Sequence, residues 1–209
     1  MFRGLLLDLD DTLFDRRAAF DRWADAAAAS QLGRALAQTE RDTLHQLDRR
    51  GHGSRVRFAE DARLLGLDVD PARFPFELAE HIVPEPGVED TIAELARSRR
   101  VAIVTNGGPA QRVKLQKLGL DTIVHTVMVS EELGIAKPDA RLFERAIKWS
   151  ELRVEELLFV GDEPVIDLAP AASLGMATAW RARTTTWPVE LAPPTHRITA
   201  ISELREICA

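Results

Sequence analysis

The chain has 209 residues, enough for one large domain or one domain carrying an insertion. Hydrophobic residues make up 45% and charged residues 29%, a globular balance with material for a core. The net charge of -6 argues against a general binder of nucleic acid, and no apolar run approaches the roughly 18 residues of a membrane span. Asp8 and Asp10 interrupt the apolar N-terminal run, so no signal peptide is expected. The single Cys208 has no partner for an internal disulfide, and a reducing cytoplasm is the expected setting.

Residues 3–9 read as a buried strand: short, apolar and ended by acids. The run Leu5-Leu6-Leu7-Asp8-Leu9-Asp10-Asp11-Thr12-Leu13 brings three carboxylates and a hydroxyl to one turn. Asp8 and Asp10 flank one residue, so in extended backbone their side chains share a face. Like charges so placed repel, and desolvation disfavours the ionised forms; a divalent cation removes that cost. One carboxylate can then be a nucleophile while the other works as acid and base.

The interval 14–85 holds Arg, Ala, Leu and acids at helical spacing, with breaks near Gly33, Gly51–Gly53, Gly66 and Asp70-Pro71. No strand is expected within it. Its most unusual stretch, Arg49 to Arg57, carries four Arg and one His and no acid. An Arg fork there suits an anionic group, and the same composition suits a solvated corner between helices. Pro84-Glu85-Pro86-Gly87 reads as the return hinge. The expected division is therefore a discontinuous core, 1–13 and 86–209, and a helical domain, 14–85.

After the hinge, Val88, Ile92, Leu95 and Ala96 fall on one helical face. Residues 101–105 read as a strand ending at Thr105, followed by the loop Asn106-Gly107-Gly108-Pro109, whose backbone N–H groups can face an anion. Residues 126–129 read as a third strand. Lys137 precedes Pro138, taken as the first residue of a helix that buries Leu142, Phe143, Ala146 and Ile147. Residues 157–160 form a fourth strand, ended by Gly161-Asp162. Asp167 lies five residues beyond Asp162, where it can also cap a helix over 168–174. Residues 176–180 read as a fifth strand, and Ile198 marks a short sixth.

Strands alternating with helices predict an α/β fold, a doubly wound parallel sheet with helices on both faces. Asp8, Thr105 and Asp162 all stand at predicted carboxyl ends of strands, where such sheets bind ligands.

Four of these segments resemble, in order and spacing, the motifs of the haloacid dehalogenase superfamily. Asp8-Leu9-Asp10-Asp11-Thr12 has the form Asp-x-Asp-x-Thr of motif one. Thr105 resembles motif two, Lys137 in Gly134-Ile135-Ala136-Lys137-Pro138-Asp139 motif three, and Gly161-Asp162-Glu163-Pro164-Val165-Ile166-Asp167 motif four. The resemblance implies a Rossmann-like core with a helical cap inserted after motif one, of the phosphatase-like branch. It implies Mg²⁺-dependent hydrolysis of a small phosphorylated metabolite through an aspartyl-phosphate. Asp8 would be the nucleophile, Asp10 the acid and base, and Thr105 and Lys137 would stabilise the phosphoryl group. Thr105, Asn106, Gly107, Lys137 and Arg55 would contact substrate. Asp8, the Asp10 carbonyl, Asp162 and Asp167 would hold or orient the metal.

Two positions depart from the superfamily's usual pattern. Glu163 stands where a small hydroxyl residue is frequent, and Ile166 where Asn is frequent. A dehalogenase also uses an Asp nucleophile but generally lacks the second acid, so Asp10 argues against it. A phosphomutase of the same superfamily and a non-catalytic phospho-acceptor or metabolite-binding module share much of this residue set. The helical insertion separates the chain from the shorter receiver modules.

Overall fold

The computed structural model describes residues 1–183 and 185–209. Its centre is β1 (Gly4–Leu7), four buried residues flanked on either side by parallel partners. A strand buried on both faces needs no polar alternation, which is why this segment reads as an unbroken apolar run.

After β1 come four helices: α1 (Arg16–Leu32), α2 (Gln38–Asp48), α3 (Arg55–Ala62) and α4 (Phe74–Glu80). The alternation of helix and strand then follows: α5 (Val88–Ala96), β2 (Arg100–Thr105), α6 (Ala110–Lys117), β3 (Thr126–Val129) and the short α7 (Ser130–Leu133). It continues through α8 (Ala140–Ser150), β4 (Leu157–Gly161), α9 (Ala169–Ser173), β5 (Ala177–Arg181), β6 (His196–Ile198) and α10 (Leu204–Ile207).

The strands form one six-stranded sheet in the order β3-β2-β1-β4-β5-β6, every pair parallel. Leu7 at the end of β1 stands level with Ile103 on one side and Val160 on the other. The chain winds outward from β1 to β3, then crosses to β4 on the other side. The gap between β1 and β4 is the topological switch point, where ligands of such sheets bind. One sheet face packs Leu6, Ala102, Val104 and Phe159 against Leu142, Phe143 and Ala146 of α8 and Ala171 of α9. The Phe143 and Phe159 rings stand 5.2 Å apart. By the two-residue period of strands, Leu5 and Leu7 face the other side. Each fully buried Leu contributes roughly 1.5–3 kcal/mol, so the strand that carries the acids is also a principal source of stability.

By its internal contacts the chain divides into two compact units, Met1–Phe14 with Pro84–Ala209, and Asp15–Val83. The second unit is built around Phe20, Trp23, Phe58 and Phe74, with ring centroids 4.7–6.2 Å apart. A buried ion pair adds to it. Arg16 donates to both Asp48 oxygens at 2.6 and 2.9 Å. Asp48 Oδ2 also accepts from the Gly51 N–H at 3.0 Å. The turn that follows runs through Arg49, Arg50 and Gly51, all at positive φ.

Pro138 does not begin α8. The N-cap of that helix is Asp139, whose side chain accepts from the Arg141 N–H, so Pro138 belongs to the preceding loop. Among the described residues no helix is long and apolar enough to cross a membrane.

Candidate active site

The carboxyl ends of β1, β2 and β4 bring Asp8, Thr105 and Asp162 to one edge of the sheet, and the loop before α8 adds Lys137. Asp8 extends β1 by one ladder bond, its N–H donating to Val160 O at 2.9 Å. The backbone then turns through Asp11, at φ 59. That turn folds Thr12 back, and its hydroxyl donates to Asp8 Oδ2 at 2.8 Å. Lys137 Nζ donates to the other oxygen, Oδ1, at 2.6 Å.

Asp8, Asp162 and Asp167 are all buried, and one carboxylate oxygen of each lies within 4.8 Å of the others. Lys137 Nζ is also 2.8 Å from Asp167 Oδ1, so the ammonium is paired with two buried carboxylates. Burial pushes the Asp8 carboxyl up to about 7, opposed by Lys137 and reinforced by the negative charges of Asp167 and Asp10. Burial works against the Lys137 ammonium, but Asp167 and Asp8 outweigh it and raise its affinity for the proton. One ammonium among three converging carboxylates leaves excess negative charge in a site closed to water. An all-oxygen donor set of three buried carboxylates fits a hard divalent cation such as Mg²⁺.

Asp167 is not a helix cap. It lies inside a wide π-type turn, Pro164–Leu168, and its Oδ2 accepts from the Glu163 N–H at 3.2 Å. Such turns recur at functional sites because they re-aim a side chain without ending the helix. The preceding glycine makes room for it, since a Cβ on Gly161 would stand 2.6 Å from Asp167 Oδ2. Glu163 contributes its main chain to the turn, its carbonyl accepting from the Asp167 N–H at 2.9 Å. Trp180 and Thr185 both donate to the Asp162 carbonyl, at 3.0 and 2.7 Å, and fix the backbone of that acid.

The loop after β2 is built differently from the expectation. The Asn106 side chain is turned to the Lys137 backbone, donating to its carbonyl and accepting from its N–H, both at 2.8 Å. The Gly107 N–H donates to Ser130 Oγ at 2.9 Å. The Gly107 N–H, expected to face an anion, is here bonded to a hydroxyl that arrives from the end of β3. Gly107 is needed for another reason. It sits at φ 136, and a Cβ there would stand 3.1 Å from the Gln111 side chain.

Gln111 and Lys114 join the site although no motif in the sequence points to them. Gln111 Nε2 donates to Asp10 Oδ2 at 2.7 Å and to Thr105 Oγ1 at 2.6 Å. Lys114 Nζ donates to Asp10 Oδ1 at 2.5 Å. Both lie on the buried face of α6 with Ala110 and Leu115. In the sequence they are a Gln and a Lys three residues apart with no motif that marks them. Arg55 belongs to the other unit, exposed at the first turn of α3, where Ser54 caps the Arg57 N–H at 3.4 Å.

Residues 2–175 match the family model of haloacid dehalogenase-like hydrolases. The phosphoserine phosphatase of Thermus thermophilus is 35% identical over 175 residues, which span 79% of this chain and 69% of that enzyme. The pyrimidine 5'-nucleotidase YjjG of Escherichia coli is 30% identical over 148 residues, 68% of this chain and 65% of that enzyme's length. Among solved structures, the magnesium-bound HAD-hydrolase YfnB from Bacillus subtilis superposes with a TM-score of 0.82 at 24% identity, covering 99% of this chain and 98% of its own.

Proposed function

This chain belongs to the haloacid dehalogenase-like hydrolase family, and from that premise we propose that it is a Mg²⁺-dependent phosphatase of a small phosphorylated metabolite. The observation that carries the reading is the meeting of Asp8, Asp162 and Asp167 around Lys137 at the sheet's switch point, with Asp10 two residues beyond the nucleophile. Relatives named as phosphatases of phosphoserine and of nucleotides support the substrate class.

In this reading Asp8 attacks phosphorus and forms an aspartyl-phosphate while Asp10 gives its proton to the leaving oxygen as the P–O bond breaks. Asp10 then accepts a proton from the water that attacks phosphorus and releases Asp8. Lys137 holds the attacking carboxylate in place and offsets charge on the transferring group; the Thr105 hydroxyl and the Asn106 N–H would donate to the phosphoryl oxygens. Asp8, the Asp10 carbonyl and Asp162 would hold Mg²⁺, with Asp167 orienting its waters, and the cation would supply charge neutralisation between nucleophile and phosphate. Asp10 is also the feature that favours phosphate esters over organic halides, because halide departure needs no proton.

The test is phosphate release across a set of phosphorylated metabolites with Mg²⁺, for the wild type and Asp8→Asn. The amide is nearly isosteric but is no nucleophile. Turnover by the wild type and none by a folded, metal-loaded Asp8→Asn is expected. Wild-type rates in the variant would refute the role of Asp8. Acid-quenched protein carrying phosphate on Asp8 would support the two-step course.

A further inference from the structure

We propose that Gln111 and Lys114 are positioning residues that brace the Asp10 carboxylate and tie it to Thr105; the inference rests on the phosphatase reading above. An Asp carboxylate rotates broadly about its last torsion. Asp10 moreover stands beside Asp8, whose negative charge favours turning away. Here each Asp10 oxygen has its own donor, Lys114 on Oδ1 at 2.5 Å and Gln111 on Oδ2 at 2.7 Å. The remaining Gln111 amide hydrogen goes to Thr105 Oγ1 at 2.6 Å, so one side chain sets the distance between the acid and the motif-two hydroxyl.

The brace is built into the fold. Gln111 and Lys114 are three residues apart on α6 and so point the same way. The Lys114 side chain is 6% exposed, with its ammonium 5.8 Å from the Phe14 ring centroid. Burying an ammonium is costly, and an apolar side chain would fill that helix face at less cost. The bond to Asp10 is what the lysine adds. Gly107 leaves the passage through which Gln111 reaches the site.

A carboxylate aimed in this way matters twice, once when its proton passes to the leaving oxygen and once when it takes a proton from water. The two uses separate by leaving group. An alkoxide needs the proton, whereas p-nitrophenolate departs without it.

The experiment compares the full-length wild type with Lys114→Met, Lys114→Arg and Gln111→Leu, in Mg²⁺, on p-nitrophenyl phosphate and on an alkyl phosphate that the wild type turns over. Lys114→Met and Gln111→Leu should lower kcat/KM for the alkyl ester at least about tenfold more than for the aryl ester, part of the range general acid–base help covers. Lys114→Arg should recover part of that difference. Rapid mixing with the aryl ester should show a burst of nitrophenol in both variants, because hydrolysis of the aspartyl-phosphate still needs Asp10. Equal proportional losses on the two esters without a burst would overturn the inference and leave the phosphatase reading intact. A wild type that releases phosphate from no ester would overturn both. If Lys114→Met does not fold, Gln111→Leu and Lys114→Arg decide on the same two readouts.

Discussion

Asn106 and Lys137 hold each other through two reciprocal hydrogen bonds, side-chain amide to backbone, each 2.8 Å long. The loop after β2 thereby fixes the loop before α8, and with it the ammonium that reaches Asp8. The position of Lys137 is a property of two segments 31 residues apart, not of its own loop alone.

Asn106→Ala should therefore act on Lys137. Two hydrogen bonds are lost, and the Lys137 N–H and C=O are left to find other partners, a cost of about 1–3 kcal/mol for each group left unsatisfied. With Lys137 loosened, kcat should fall about 10–100-fold while the fold persists. Steady-state kinetics with a thermal melt checks this. A lowered melting temperature with unchanged kcat would show that the clamp serves stability only.

Asp8 titrates abnormally, and the sign follows from its direction. Its carboxyl is pushed up from 3.8 to about 7 by burial, against Lys137 and with the charges of Asp167 and Asp10. A group whose folded pKa lies above its unfolded one contributes stability that is present below the unfolded value and lost as pH rises through the folded one. In chelator, the wild type should lose stability between pH 4 and about 7, by a few kcal/mol on the order-of-magnitude scale of 1.4 kcal/mol per unit. Asp8→Asn should lack that slope, and Mg²⁺ should flatten it in the wild type. Urea unfolding across pH gives all three curves; parallel curves for wild type and Asp8→Asn would remove Asp8 as the cause.

Metal dependence should be strict. Chelation should abolish phosphate release and Mg²⁺ restore it, while Ca²⁺, with its larger and looser shell, should inhibit. Gly161→Ala offers a subtler probe. Its Cβ would stand 2.6 Å from Asp167 Oδ2, so Asp167 must move. Weaker Mg²⁺ binding, read as a higher Mg²⁺ concentration for half-maximal rate, is expected with little change in rate at saturation. An unchanged Mg²⁺ titration would show that Asp167 tolerates the shift.

The legible parts of the molecule are those set by short-range rules. The strands follow from apolar runs: the stretch read as 3–9 holds β1 (Gly4–Leu7), 101–105 ends with β2 at Thr105, and 157–160 lies within β4 (Leu157–Gly161). Position along the chain then places Asp8, Thr105 and Asp162 at one edge, because every strand is parallel. What was not legible depends on pairings across long separations. Nothing local distinguishes Lys114 from a solvated surface lysine, since its partner Asp10 lies 104 residues away. The partner that the Gly107 N–H has in the structure, Ser130, arrives from the end of β3 and is not marked in the sequence around Gly107. Asp167 reads in sequence both as a metal-site acid and as a helix cap, because the two occupy the same place in the chain. The π-type turn directs the acid inward, into space that the absent side chain of Gly161 leaves.

The last prediction concerns Arg55. Its loop is firmly built within the helical unit. Asp48 is buried and pinned by Arg16, and the turn after it passes through three residues at positive φ before Ser54 caps α3. Backbone held in such conformations is a frequent mark of a ligand-facing segment. If Arg55 grips a second anionic group of the natural substrate, Arg55→Ala should lower kcat/KM for that substrate about tenfold or more, the scale of a charge-assisted hydrogen bond. It should leave p-nitrophenyl phosphate within about twofold, because that ester carries no second group and Asp8 and Asp10 see the same phosphoryl centre in both. Binding energy from remote substrate groups is what the reacting centre draws on, so the natural substrate should lose kcat as well as affinity. Equal losses on both esters would indicate damage to the fold, checked by the melting temperature. No loss on either would make the Arg49–Arg57 segment a solvated corner.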